Sequence, residues 1–147
     1  MPVTNLTTLG EFLRVFAYQC HHGKEEASLF PVLEALGVPA TGCPLGGLIG
    51  EHQKGRLLVG DLMQAAATYG GDANAAREQV AVSLRALSQL YKNHIWKEDN
   101  LLFPLAEKLL PTAEAESLLG AFRRVEQEIG VKRLSELAEF VAELERS

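Results

Sequence analysis

Cysteine is scarce: Cys20 and Cys43 are the only two, and no CxxC spacing exists that would suggest a thiolate zinc site. In a reducing compartment they are expected as partly buried thiols rather than a disulfide. A redox role for Cys20 would rest on its adjacency to His21 alone. Long apolar runs are missing as well. No segment approaches the ~20 residues a bilayer span needs. The first apolar stretch has no cationic start and is interrupted by Glu11 and Arg14, unlike an ordinary signal peptide. Charge of one sign is also modest. The net charge is −5 and both signs are mixed along the chain, so there is no basic stripe for a phosphate backbone. These absences lead us to expect a cytoplasmic protein with neither nucleic acid nor membrane as partner.

What is present is helical spacing. The 147 residues, 47% apolar, suit one domain over residues 1–147. Leu9, Phe12, Leu13, Phe16, Leu29, Val32, Leu33 and Leu36 recur at three- and four-residue steps, which predicts one long helix from Asn5 to Leu36. The breaker-rich stretch from Gly37 to Gly47 reads as a loop. A second helix is expected from about Leu48 to Tyr69. Gly70-Gly71-Asp72 ends it, and Asp72 is a candidate N-cap for a third from about Ala73 to Leu110. Thr112 is expected to cap a C-terminal helical region, with Gly130 breaking it before a last helix at 132–146. The fold class is therefore all-α, an antiparallel helical bundle.

One internal repeat carries chemistry. His21-His-Gly-Lys-Glu-Glu-Ala-Ser-Leu-Phe-Pro-Val-Leu-Glu-Ala-Leu36 aligns without gaps on His94-Ile-Trp-Lys-Glu-Asp-Asn-Leu-Leu-Phe-Pro-Leu-Ala-Glu-Lys-Leu109, with eight of sixteen positions identical. Each copy places a histidine one helical turn before a glutamate, so imidazole and carboxylate share a face. Leu29 and Leu102 continue that face, which turns it inward. Burying an unpaired carboxylate costs several kcal/mol, and Lys24 and Lys97 lie beside the face rather than on it. A metal ion resolves the conflict. Two HxxxE turns plus another histidine suit a carboxylate-bridged pair of ions, and the N/O donors favour iron or manganese over structural zinc. Only four histidines exist, His21, His22, His52 and His94, and none lies away from these motifs. A second register, His22 with Glu26, is also one turn long. The repeat favours His21 with Glu25, because it sets His22 opposite Ile95 and Glu26 opposite Asp99. Each copy also has a proline inside its helix, Pro31 or Pro104, which implies a shared kink.

The stretches from Cys20 to Pro31, Gly50-Glu-His-Gln-Lys-Gly-Arg56 and His94 to Pro104 resemble the hemerythrin HHE cation-binding family in order and spacing. The resemblance implies a hemerythrin-like four-helix bundle. It implies His21, Glu25, His52, His94 and Glu98 as metal ligands, with Glu25 and Glu98 bridging two non-haem iron ions. His22 matches a position that is a ligand in some relatives only. Family members usually begin with an extra helix bearing a histidine, and this chain has no histidine before His21. On that resemblance the first helix is expected to be lacking or replaced: either the site lacks one ligand, or His22, water or another subunit supplies it, or the sequence is a shortened form. A homo-oligomer that covers the open face is expected.

Function follows in outline. The first expectation is a module that binds or senses dioxygen, nitric oxide or iron. The second is a di-iron enzyme acting on peroxide or ferrous iron, or repairing damaged iron centres. Tyr18, Tyr69, Tyr91 and Trp96 could serve radical chemistry there, though packing explains them. The third is a metal-free helical scaffold for protein contacts.

Overall fold

A computed structural model describes residues 3–69 and 73–146, and among these there are five helices and no strand. Helix α1 spans residues 3–35, α2 is Leu45–Thr68, α3 spans residues 73–109, α4 is Thr112–Ile129 and α5 is Val131–Arg146. The Gly70–Asp72 turn and its Asp72 cap lie outside the described residues. Among the described residues, no helix is long and apolar enough to cross a membrane.

Two winding changes distinguish α1 and α3 from plain α-helices. Both turn π-helical across the glutamate of the repeat, over Glu25–Leu29 and Glu98–Leu102. In each, the phenylalanine amide bonds the glutamate carbonyl five residues back, Phe30 to Glu25 and Phe103 to Glu98. The wider turn accommodates the proline ring that follows, which an α-turn would drive into a carbonyl. The feature shared at the prolines is therefore a π-turn. Helix α1 is also π-wound over Leu13–His22, whereas α3 is regular α from Ala73 to Lys97.

The ends of the helices follow local chemistry. After α1, Gly37 sits at φ +94° while its amide bonds Glu34 O and the Val38 amide bonds Leu33 O. This is a left-handed glycine cap, fastened by the buried Val38. Helix α2 starts three residues before the expected Leu48, because Gly46 and Gly47 belong to its first turn. A Cβ on Gly46 would lie 3.1 Å from the backbone of Ala40 and Thr41, so glycine lets the loop fold back on the helix. Thr112 is not a cap: Pro111 holds the extended cap position and Thr112 is the first helical residue. Gly130, at φ +103°, separates α4 from α5 as expected.

Packing places a polar layer between two apolar ones. One cluster holds Leu6, Leu13 and Tyr18 of α1, Val59 and Leu62 of α2, and Val80 and Leu87 of α3. The other holds Leu29 and Leu33 of α1, Leu45 and Leu48 of α2, Leu102 of α3 and Leu118 of α4. The segments between them, 19–28, 49–58 and 88–101, bring every histidine to one level. Helix α5 packs Leu134 and Leu137 on Val15 and Cys20 of α1. The C-terminal helices thus cover part of the apolar face of α1. Cys20 is buried and Cys43 exposed, both as free thiols, so only the first matches the expected burial.

Candidate metal centre

His22, Glu25, His52, His94 and Glu98 are each no more than 4% exposed, although all can carry charge. Ligand atoms of His21, His22, Glu25, His94 and Glu98 lie within 4.8 Å of one another. His52 adjoins them: its ring stacks on His22 at 3.7 Å, and its Nε2 is 3.2 Å from Glu25 Oε2. All six residues singled out in the sequence are brought together.

Glu25 is the carboxylate buried in the cluster, whereas Glu26 stays at the edge with a third of its side chain exposed. The histidines divide differently. His21 is the rim residue, 43% exposed, with Nε2 donating to Glu98 Oε1 at 3.2 Å and lying 3.9 Å from Glu25 Oε1. His22 is the deep one, edge-on to His94 at 5.0 Å. The π-winding of Leu13–His22 accounts for this, because a wider turn shifts the angular position that an α-helical wheel assigns to each residue.

Carboxylates stand behind two of the rings. His52 Nδ1 donates to Glu26 Oε1 at 2.7 Å, and Arg56 also bonds that oxygen. His94 Nδ1 donates to Glu51 Oε2 at 3.1 Å, and Lys97 bonds the other Glu51 oxygen. Each carboxylate fixes the ring tautomer and turns Nε2 toward the middle of the layer, the support metal-bound histidines receive. Sequence reading missed Glu26 and Glu51 in this role. Partner and histidine sit on different helices, so no spacing within one helix reveals them. The only trace is the position of Glu51 beside His52.

The electrostatics follow from these contacts. The Glu98 hydrogen bond raises His21 above the usual histidine range. Burial would lower His94, but the Glu98 and Glu51 carboxylates beside it raise it. Burial, reinforced by the His52 ring, pushes His22 down to about 2, so it is neutral. Burial would raise Glu98, yet the His21 hydrogen bond and the adjacent His94 ring hold it well below the carboxylate range.

Even so, satisfaction is incomplete. His22 Nδ1, both Glu25 oxygens, His52 Nε2 and His94 Nε2 are buried without hydrogen-bond partners. His94 Nε2 is 2.9 Å from Glu98 Oε1, but without the alignment of a hydrogen bond. Unmet lone pairs from imidazole and carboxylate, converging in one buried layer, fit a cation. Two open cavities meet at His21: about 330 Å³ between α1 and α3, beside Phe16, Tyr91 and Ile95, and about 430 Å³ between α1, α4 and α5, beside Cys20 and Lys24.

Residues 4–106 match the hemerythrin HHE cation binding domain. Uncharacterised proteins of Mycobacterium tuberculosis (strain ATCC 25618 / H37Rv) and Mycobacterium bovis are similar, each 24% identical over 147 residues. The alignment covers 99% of this chain and 57% of each relative, so the chain spans little more than half their length. No solved structure matches.

Proposed function

The chain belongs to the hemerythrin HHE cation binding domain family, and from that premise we propose that it is a non-haem di-iron module that binds or senses dioxygen, nitric oxide or iron. His21, His22, Glu25, His52, His94 and Glu98 would hold the ions, with Glu25 and Glu98 as the shared carboxylates. The observation that carries the reading is the set of partnerless buried donors on His22, Glu25, His52 and His94. Iron there would supply small-ligand binding and one-electron chemistry. The chain's own groups do the rest. Glu26 and Glu51 orient two rings. The apolar clusters close the layer above and below. His21, on the rim between the two cavities, controls approach.

Cavities of this size also favour a second reading, a di-iron enzyme acting on peroxide or ferrous iron. The proposal includes one domain over 1–147 and a cytoplasmic homo-oligomer; the open apolar groove beside Phe16, Tyr91 and Ile95 supports the assembly. Metal analysis with absorption spectra of the reduced, oxygen-exposed and nitric oxide-exposed protein tests the function. Two irons per chain and a ligand-dependent spectrum are expected. A chain reconstituted with ferrous iron that retains none overturns the reading, and steady peroxide turnover selects the enzyme.

A further inference from the structure

Gly55 of α2 faces the place where α1 and α3 meet. A Cβ there would lie 1.8 Å from the Tyr18 hydroxyl and 2.9 Å from its Cζ. The missing side chain is therefore the space into which Tyr18 extends. At the end of that space the Tyr91 hydroxyl of α3 donates to the Tyr18 hydroxyl at 3.1 Å. The other side of the Tyr18 ring meets His22 edge-on, with centroids 4.6 Å apart and planes at 81°. His22 in turn stacks on His52. Tyr18 is thus held at its tip by all three long helices and presses its ring on the one deep histidine whose Nδ1 has no partner.

We propose that Tyr18, seated against Gly55 and tied to Tyr91, is a positioning residue that sets the depth and tilt of His22 in the metal site. The assignment rests on the metal reading above. His22 has no carboxylate behind it, unlike His52 and His94, so its orientation must come from packing. A T-shaped contact on one side and a stacked ring on the other supply it. The hydroxyl bond fixes the tyrosine itself, because a buried phenol that loses its partner tends to move.

The test uses the whole chain and cobalt(II) as probe, reading cobalt per chain, apparent affinity and the visible band, with far-ultraviolet circular dichroism as the check on folding. Gly55→Ala drives Tyr18 from its seat and is expected to weaken cobalt binding about tenfold or more and to shift the band. Adding Tyr18→Phe removes the worst clash but leaves the ring carbon at 2.9 Å and loses the Tyr91 bond, so it should restore the affinity only in part. Gly60→Ala, on the same helix with open space around it, should bind like wild type. Tyr18→Ala, which takes the ring edge off His22, should weaken binding with helicity retained, and it decides the matter if Gly55→Ala does not fold. Wild-type affinity and band in Tyr18→Ala overturn the proposal, as does a folded Gly55→Ala that binds cobalt like wild type. If wild type takes up neither cobalt nor iron, the metal reading falls first and this inference with it.

Discussion

Glu25 and Glu98 come from equivalent places in the two copies of the repeat and end equally deep, 3% and 4% exposed. Beside them, His22 is 2% exposed while its counterpart Ile95 is 51% exposed. The lysines diverge too: Lys97 bonds Glu51 behind His94, whereas Lys24 bonds Glu126 on α4. Downstream of the glutamate the copies are wound alike; upstream, one is π and the other α. Winding therefore decides which neighbour turns inward. The second copy supplies one histidine and supports it, while the first supplies two histidines and ties down the C-terminal helices.

The largest effect should come from the positions where the copies agree. If Glu25 and Glu98 are the shared carboxylates, Glu25→Ala and Glu98→Ala each remove at least half of the bound metal. Each should also remove much of the stabilisation that metal gives. A ligand at a thousand times its Kd contributes about 4 kcal/mol, on the order of 10 °C for a chain this size. Parallel metal analysis and thermal melts check both variants. Full loading in one and none in the other would break the equivalence of the two copies.

Where the copies differ, His22→Ala should reduce bound metal at least as much as His21→Ala, with affinity down about tenfold or more. Ile95→Ala should change neither loading nor stability beyond about 0.5 kcal/mol. This reverses the order that alignment alone assigns to the adjacent histidines, and metal titrations of the three variants decide it. Full loading in His22→Ala would restore the alignment's order.

The depth of His22 shows where the sequence was legible and where it was not. Hydrophobic spacing located α1, α3 and the Gly130 break to within a few residues, because burial of one face is what forms those helices. It placed Glu25 and Glu98 inside for the same reason, since Leu29 and Leu102 extend their face. A π-turn leaves little mark on three- and four-residue spacing, so the depth of His22 was hidden, and the prolines read as kinks. Gly46 and Gly47 were read as loop because the helical role of Gly46 depends on its close contact with Ala40 and Thr41. Thr112 failed as a cap because the preceding Pro111, at ψ 154°, already turns the chain into the helix.

The carboxylates behind the rings sharpen the comparison further. Glu51 serves the second copy's histidine, and Glu26, from the first copy, serves His52. Glu51→Gln and Glu26→Gln keep shape and remove charge, so each should weaken metal binding about 10- to 100-fold while leaving the fold intact. Glu51 is more enclosed, 17% exposed against 33%, and its variant should lie nearer the upper end. Isothermal titration of both with the same metal ranks them, and equal wild-type affinity would show that the rings need no support.

The smallest effects belong to the lysines, and they separate the two copies most cleanly. Lys24 and Lys97 hold the same place in the repeat, and each bonds one carboxylate. Glu126 is 40% exposed, so water screens much of the Lys24 pair, and an ion pair of that kind contributes about 0.5 kcal/mol. Lys24→Met should therefore lower stability by no more than about 1 kcal/mol and leave metal affinity unchanged, because Glu126, unlike Glu51, does not hold a histidine ring by a hydrogen bond. Lys97 is different in kind. It holds Glu51, which in turn holds His94, so Lys97→Met frees that carboxylate to swing away from Nδ1. Metal affinity should fall by a few-fold, less than in Glu51→Gln, because Glu51 keeps its charge and its place on α2. Denaturant melts and metal titrations of the two variants, side by side, should thus give a stability change without an affinity change for Lys24, and an affinity change for Lys97. If Lys24→Met weakens metal binding as much as Lys97→Met does, α4 is coupled to the site, and the division of labour between the two copies is wrong.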